Sequence, residues 1–202
     1  MITVVIASYR YGHLAAHCIE SVLCQTRKAD RILFVDDGAG DCEHLQRLYP
    51  SVEYVIRSVN IGTVANFQDM LNRVETDRCI FVGADNWLRA DTLDLLDRQK
   101  TDIVTYDIVV TGELRNNIAQ RHSHEMADYQ GDYYWSRMMV HHGSMLYNTN
   151  LAKRVGGYAA SGGPNSEEDL VLWNRMIKGN ATVSHVNQGL LYYRRHKENF
   201  IK

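Results

Sequence analysis

Residues 31–41 read RILFVDDGAGD, an apolar run that ends on two acids and two glycines. A short apolar run bounded by turn residues marks a strand covered on both faces, as in parallel sheets. The same pattern recurs on either side of it. Residues 2–8, ITVVIAS, form another such run, closing on small and polar residues. Between the two, Leu14, Ala15, Cys18, Ile19, Val22 and Leu23 recur at helical spacing and predict a helix over 13–25. Downstream, 41–48 reads as a short helix, 52–56 as a strand, and Asn60-Ile61-Gly62 as a turn. A helix follows over 63–74, with Val64, Phe67, Met70 and Leu71 on one face. RCIFVGADNWLRAD, 78–91, then supplies a fourth strand whose apolar run 79–82 stops on Gly83-Ala84-Asp85-Asn86. This β-α-β-α-β-α-β alternation implies an α/β fold, a mainly parallel sheet with helices on both faces.

In such sheets ligands gather at the carboxyl ends of the strands. Those ends carry Ala7-Ser8-Tyr9, Asp36-Asp37-Gly38 and Gly83-Ala84-Asp85-Asn86, so the sequence predicts one polar, acidic crevice. The second half is less regular. Residues 102–110 read as a strand, 111–134 as a polar stretch, and 151–155 as a helix closed by Gly156-Gly157. Glu167-Glu168-Asp169 opens a helix running to 177, and 183–186 and 189–193 are strand-like. No repeat, low-complexity segment or linker divides the chain, so one domain is expected over 1–202.

Composition narrows the function classes. The 202 residues, 45% apolar and 23% charged, suit an ordinary globular domain. A formal net charge of -2 gives no electrostatic footprint for nucleic acid or an acidic membrane. No apolar run approaches the roughly 20 residues that span a bilayer, and no basic segment precedes the first strand. Cys18, Cys24, Cys42 and Cys79 lack metal-ligand spacing and read as thiols of a reducing compartment, so a cytoplasmic location is expected. His122 and His124 in RHSHE have no second ligand pair to make a zinc site.

Three readings of the crevice compete. A dinucleotide site needs a glycine fingerprint after the first strand, and Ser8-Tyr9-Arg10-Tyr11-Gly12 has none. A phospho-receiver domain needs its paired acids after the first strand, whereas here they follow the second. A nucleotide-sugar site explains the acids, because a divalent cation can bridge a diphosphate to an aspartate. Another aspartate can accept a hydrogen bond from a base edge while Tyr9 frames the ring. A further carboxylate must then act as general base on an acceptor hydroxyl, and Glu168-Asp169 is the candidate.

The segments TVVIASYRYGHLAAHCIESVLCQT, ILFVDDGAGD, NIGTVANFQDMLN, FVGADNWL, NSEEDLVLWNRM and LLYYRRHKEN stand in the order seen in family 2 glycosyltransferases. The chain resembles that family over nearly its whole length. The resemblance implies the GT-A fold, a Rossmann-like domain with a mixed, mainly parallel sheet. It also implies inverting transfer of one sugar from a nucleoside diphosphate donor (UDP, dTDP or GDP linked) to a glycan or other hydroxyl acceptor, with Mn²⁺ or Mg²⁺. A donor half would cover about 1–100 and an acceptor half about 101–202. By the same resemblance Ala7, Ser8 and Tyr9 line the nucleoside pocket, Asp36 contacts the base and Asp37 supports that loop. Asn60, Gly62, Asn66 and Ala84 shape the donor site. Asp85 holds the metal, with His196 a metal or phosphate contact, and Arg195 belongs to the segment closing over the diphosphate. Asp169 is the catalytic base, supported by Glu168, with Trp173 and His142 on the acceptor side.

The chain departs from the family at one point: Gly83 replaces the first acid of the DxD motif, leaving Asp85. A catalytically idle nucleotide-sugar-binding or scaffolding domain is the alternative that this departure motivates. Structural readings stand beside the functional ones. Asp36 and Asp37 suit loop caps, Asp85 a turn, Trp173 a core position, and Glu168 and Asp169 the positive end of a helix.

Overall fold

The run ITVVIAS becomes β1 (Ile2–Ser8), and its alternation decides what packs on each side. Ile2, Val4 and Ile6 join one core cluster and Val5 the other, all fully buried. The computed structural model describes residues 1–113, 145–161 and 168–199. On one side of β1 lie β2 (Arg31–Asp36) and then β3 (Glu53–Ile56), and on the other β4 (Arg78–Gly83), all parallel. The short β5 (Trp87–Leu88) follows in the chain, then β6 (Ile103–Thr111), β7 (Met145–Asn148) and β8 (Val183–Arg194). Across the sheet the order is β3-β2-β1-β4-β7-β6-β8-β5. β7 runs antiparallel to both β4 and β6, and β8 runs parallel to β6. Two reversals thus restore the direction of β1, so β6 and β8 end on the same edge as Ser8, Asp36 and Gly83.

Helices cover both faces because their apolar stripes match the two clusters. α1 (Gly12–Leu23) buries Ala15, Cys18, Ile19 and Val22 on the first face. α2 (Glu43–Leu48) adds Leu45 there. The second face receives Met70 and Leu71 of α3 (Thr63–Arg73). α4 (Thr92–Asp97) returns to the first face with Leu93 and Leu96. α5 (Thr149–Arg154) and α6 (Glu168–Lys178) complete the second face with Leu151, Leu172, Trp173 and Met176. Full burial of each Val, Leu, Ile or Met side chain among them contributes about 1.5–3 kcal/mol.

Direction matters most for α6. Just past its end, Thr182 donates from N and Oγ1 to Asp102 Oδ2 at 3.0 and 2.8 Å, at the start of β6. The helix therefore finishes near the amino edge of the sheet. Its eleven residues rise about 16 Å, which carries Glu168 and Asp169 back toward the carboxyl edge.

The structure departs from the sequence reading in the second half. Two strands expected at 183–186 and 189–193 are one strand, β8. Asn187-Gln188-Gly189 reads as a break, but it is an irregularity where pairing slips from Tyr106↔Val186 to Asp107↔Gly189 and Ile108↔Leu191. β5 and α4 were not predicted, and Met145-Leu146-Tyr147, where apolar and small residues alternate, lies in the strand β7. α1 ends at Leu23 rather than at 25, because Gln25 leaves the helix to donate Nε2 to Arg89 O at 2.6 Å. His122, His124, His141 and His142 lie outside the described residues.

Candidate active site

The three strand ends are joined by their backbones. Asp37 N donates to Ser8 O and Ala84 N donates to Ala7 O, both at 2.9 Å. Ala7, the buried Ser8, Asp37 and the fully buried Ala84 thus form one continuous floor. Tyr9, 39% exposed, stands above it with the Arg10 guanidinium 4.9 Å from its ring centroid. Arg10 holds φ at 66°, a left-handed conformation unusual for a residue other than glycine. Local strain of this kind is concentrated where chains are shaped for ligands.

The two acids after β2 act on loops. Asp36 is fully buried, and its Oδ1 and Oδ2 accept from Ala39 N and Gly40 N at 3.1 and 3.0 Å. Burial pushes its pKa up despite those bonds. In this conformation Asp36 is a loop cap with no surface for a base edge, unlike the base contact expected from the sequence. Asp37 Oδ1 accepts from Ile61 N at 3.2 Å and lies 3.3 Å from Arg57 Nε, which ties the 36–40 loop to Asn60 and Gly62. Gly38 permits this contact: φ is 83°, and a Cβ there would meet Val59 C at 2.3 Å. Arg57 also donates to Asn66 Oδ1 at 3.1 Å and Asp69 Oδ2 at 2.5 Å. It is the organising cation that the sequence reading missed, because its partners come from the loop after β2 and from α3.

At the end of β4 the arrangement centres on Asp85, 5% exposed. Its Oδ2 lies 3.1 Å from His196 Nε2 and accepts from Asn199 Nδ2 at 3.0 Å. Burial raises the Asp85 pKa, while His196 pulls the other way. Asn86 Oδ1 accepts from Arg194 N at 2.8 Å, so the segment after β8 is fastened across this strand end. Gly83, at the missing first acid, leaves room for the turn: a Cβ there would come within 2.7 Å of Asp85 Oδ1 and 2.9 Å of Asn86 Nδ2. Beside this corner lies a cavity of about 370 Å³, walled by His13 and Leu14, by Gly112 and Glu113, and by residues 194–198. Arg195 is 5% exposed and shares a hydrogen bond with Tyr193, while Arg194 stacks over Trp87 at 4.9 Å and reaches His17.

Two places fit a cation differently. Asp36, Asp41 and Cys42 bring ligand atoms within 4.8 Å of one another. Both Asp36 oxygens already accept backbone amides, however, and Asp41 Oδ2 accepts from Gly12 N at 2.9 Å. Burial pushes the Cys42 thiol up to about 12. That trio is satisfied internally. Asp85 fits better, because Oδ1 accepts no hydrogen bond from another described side chain. His196 is held as a partner of Asp85, so a direct metal bond from Nε2 would require it to give up that hydrogen bond.

On the second face, Asp169 and Glu168 are half-buried in the first turn of α6, where the helix dipole favours acids. Their charges bear on Tyr158, whose hydroxyl meets Tyr147 at 2.7 Å and whose ring packs 5.7 Å from Phe81 of β4. Trp173 is fully buried in the core, so its role is packing rather than the wall of an open crevice. Among the described residues no helix is long and apolar enough to cross a membrane.

Known proteins give this edge a context. The crystal structure of S. aureus TarS 1-349 superposes with a TM-score of 0.76 at 15% identity, covering 96% of this chain and 60% of that one. Its complex with UDP-GlcNAc gives 0.74 at 16% identity, covering 98% and 59%. The mannosyltransferase PcManGT from Pyrobaculum calidifontis, solved with GDP-Man and Mn²⁺, gives 0.68 at 13% identity, covering 98% and 58%. These likenesses establish the fold. By sequence the chain is 29% identical over 116 residues to the glycosyltransferase GlyA of Streptococcus pneumoniae serotype 4. That match covers 54% of this chain and only 16% of the relative's length. Residues 3–160 match the glycosyl transferase family 2 profile, which is most of the chain, from β1 through the floor and Asp85 to Tyr158. The chain therefore belongs to glycosyl transferase family 2.

Proposed function

We propose that the chain is an inverting glycosyltransferase, transferring one sugar from a nucleoside diphosphate donor to an acceptor hydroxyl in glycan or polysaccharide biosynthesis. The observation that carries the reading is the meeting at one sheet edge of the strand-end floor, the single acid Asp85 and the acids opening α6. Family membership supports it, as do relatives whose structures hold UDP-GlcNAc or GDP-Man. Ala7, Ser8 and Tyr9 frame the nucleoside. Asp36 and Asp37 fix the loop beneath it, with Asn60, Gly62 and Asn66 set by Arg57 and Asp37. Ala84 and Gly83 admit the diphosphate close to the backbone, and the 194–198 segment closes over it. A divalent cation, when bound, would neutralise charge on the leaving diphosphate, with Asp85 Oδ1 as its protein ligand. The donor half is 1–100 and the acceptor half the remainder.

Asp169 removes the proton of the acceptor hydroxyl as that oxygen attacks the anomeric carbon from the face opposite the leaving group. Glu168 supports it within the same helical turn. The test is Asp169→Asn, which keeps shape and removes basicity. Transfer should fall by about 10³-fold or more, within the range general-base catalysis contributes, while donor affinity stays within about twofold. Near-normal turnover in that variant would sink the assignment of the base.

Gly83 favours a second reading, a catalytically idle nucleotide-sugar binder, because one carboxylate replaces two. Donor binding with neither transfer nor hydrolysis across nucleotide sugars, with and without Mn²⁺, would select it.

A further inference from the structure

The segment after β8 folds back over the end of β4, and one side-chain amide holds it there. Asn199 is 6% exposed and uses all of its polar side-chain atoms. Its Nδ2 donates to Asp85 Oδ2 at 3.0 Å and to Arg194 O at 3.1 Å, and its Oδ1 accepts from His196 N at 2.7 Å. His196 Nε2 sits on the same Asp85 oxygen at 3.1 Å. Oδ2 is thereby committed to the segment, while Oδ1 accepts no hydrogen bond from another described side chain. Oδ1 occupies space that any side chain at 83 would contest, since a Cβ there would approach it to 2.7 Å. The missing acid at 83 and the buried amide at 199 bear on one carboxylate from opposite sides.

We propose that Asn199 is the positioning residue of a single-acid donor site. Together with His196 it pins Asp85 Oδ2, presents Oδ1 to the donor diphosphate and its cation, and depends on residue 83 having no side chain. The proposal rests on the nucleotide-sugar reading above and adds a device to it. Where two acids could share a cation, the orientation of each matters less. Here one carboxylate must be correctly turned, and a neutral amide turns it without adding a charge that would compete for the ion. Asn199→Asp would set a second carboxylate against the first, and Asn199→Ala leaves Asp85 free to rotate.

The experiment measures binding and motion separately. UDP and GDP, each with MnCl₂, are titrated calorimetrically into the native protein, Asn199→Ala, Gly83→Ala and the double variant. Hydrogen exchange of amides 194–199 is followed without ligand. Each single variant should weaken binding of the preferred nucleotide by about tenfold, which in Asn199→Ala is the loss expected when one hydrogen bond to a charged group goes. The double variant should bind no more weakly than the poorer single, because both act through the orientation of the same carboxylate. Exchange in 194–199 should quicken by at least about tenfold in Asn199→Ala, with β1 amides unchanged. If Asn199→Ala does not fold, Gly83→Ala carries the test, losing affinity without loss of melting temperature. Single variants within twofold of the native affinity, or an additive double loss, would overturn the proposal and leave the donor reading standing. Failure of the native protein to bind either nucleotide, with exchange still quickened, would remove the donor reading and reduce Asn199 to a structural staple.

Discussion

Asp85 is a carboxylate placed against its own solvation. Burial raises its pKa and the hydrogen bond with His196 offsets only part of that. A raised folded pKa means the native state favours the protonated form. Stability from this group is complete below the ordinary carboxylate value of about 3.9, and is lost as pH rises through the folded value. Near neutrality the ionised Asp85 therefore costs stability. Asp85→Asn keeps an oxygen to accept from His196 and Asn199, so it should raise the melting temperature of the ligand-free protein at pH 7. That gain should shrink below about pH 4, where both states of the native residue are protonated. Thermal unfolding of the two proteins across pH checks this. A variant that melts lower than the native protein at pH 7 would contradict it. The same variant should lose cation-supported nucleotide binding, the usual exchange of stability for function at a site. At this scale the sequence was legible where chemistry repeats a motif. Asp85, Asp169 and His196 stand out in the quoted segments. Asn199 and Arg57 do not, because an amide and an arginine are common, and Asn199 meets Asp85 across 114 positions.

The elements up to β4 were legible because their apolar runs are bounded by turn residues. Beyond β4 the pairing is hidden. Gln25, read as the tail of α1, is a fully buried clip: its Oε1 accepts from Leu93 N at 3.0 Å, and its Nε2 reaches Arg89 O. It anchors β5 and α4, neither of which carries a pattern of its own. Asp102 plays the matching role at the amino edge. It accepts from Thr182 N, Thr182 Oγ1 and Asn148 Nδ2, the last at 3.0 Å, binding the starts of β6 and β8 to the end of β7. Burial pushes its carboxyl up, but those hydrogen bonds outweigh burial and hold it below the ordinary range. The sign is opposite to that of Asp85. A lowered folded pKa gives stability that is present above the unfolded value and lost as pH falls through the folded one. Asp102→Ala should therefore destabilise by about 1–2 kcal/mol at pH 7, since the site is partly solvent-screened. The difference from the native protein should close on acidification. Denaturant unfolding at pH 7 and near pH 3 distinguishes this from simple loss of packing, which would leave the gap unchanged.

Across the whole molecule, the carboxyl edge is assembled from residues spread from Ala7 to Asn199, and that spread predicts how the protein answers a ligand. The strand-end floor comes from β1, β2 and β4, the proposed base from α6, and the segment proposed to close over the donor from beyond β8. β8 is itself tied through β6 and β7 to β4. A donor seated at the edge therefore touches segments from both halves of the sheet order and binds only the folded chain. Such binding stabilises by mass action, by about 2.7 kcal/mol at a hundredfold excess over Kd. For a chain of this length each kcal/mol shifts Tm by about 2–4 °C, so the correct nucleoside diphosphate should raise it by about 5–10 °C. UDP, dTDP and GDP tested side by side with Mn²⁺ should separate, the largest shift naming the base that Tyr9 and the 36–40 loop accept. Omitting the cation should shrink the shift, and Asp85→Asn should make the shift insensitive to cation. Equal shifts with and without Mn²⁺ in the native protein would mean that the single acid recruits no metal. The absence of a shift with any of the three, cation present, would remove nucleotide-sugar binding from this edge.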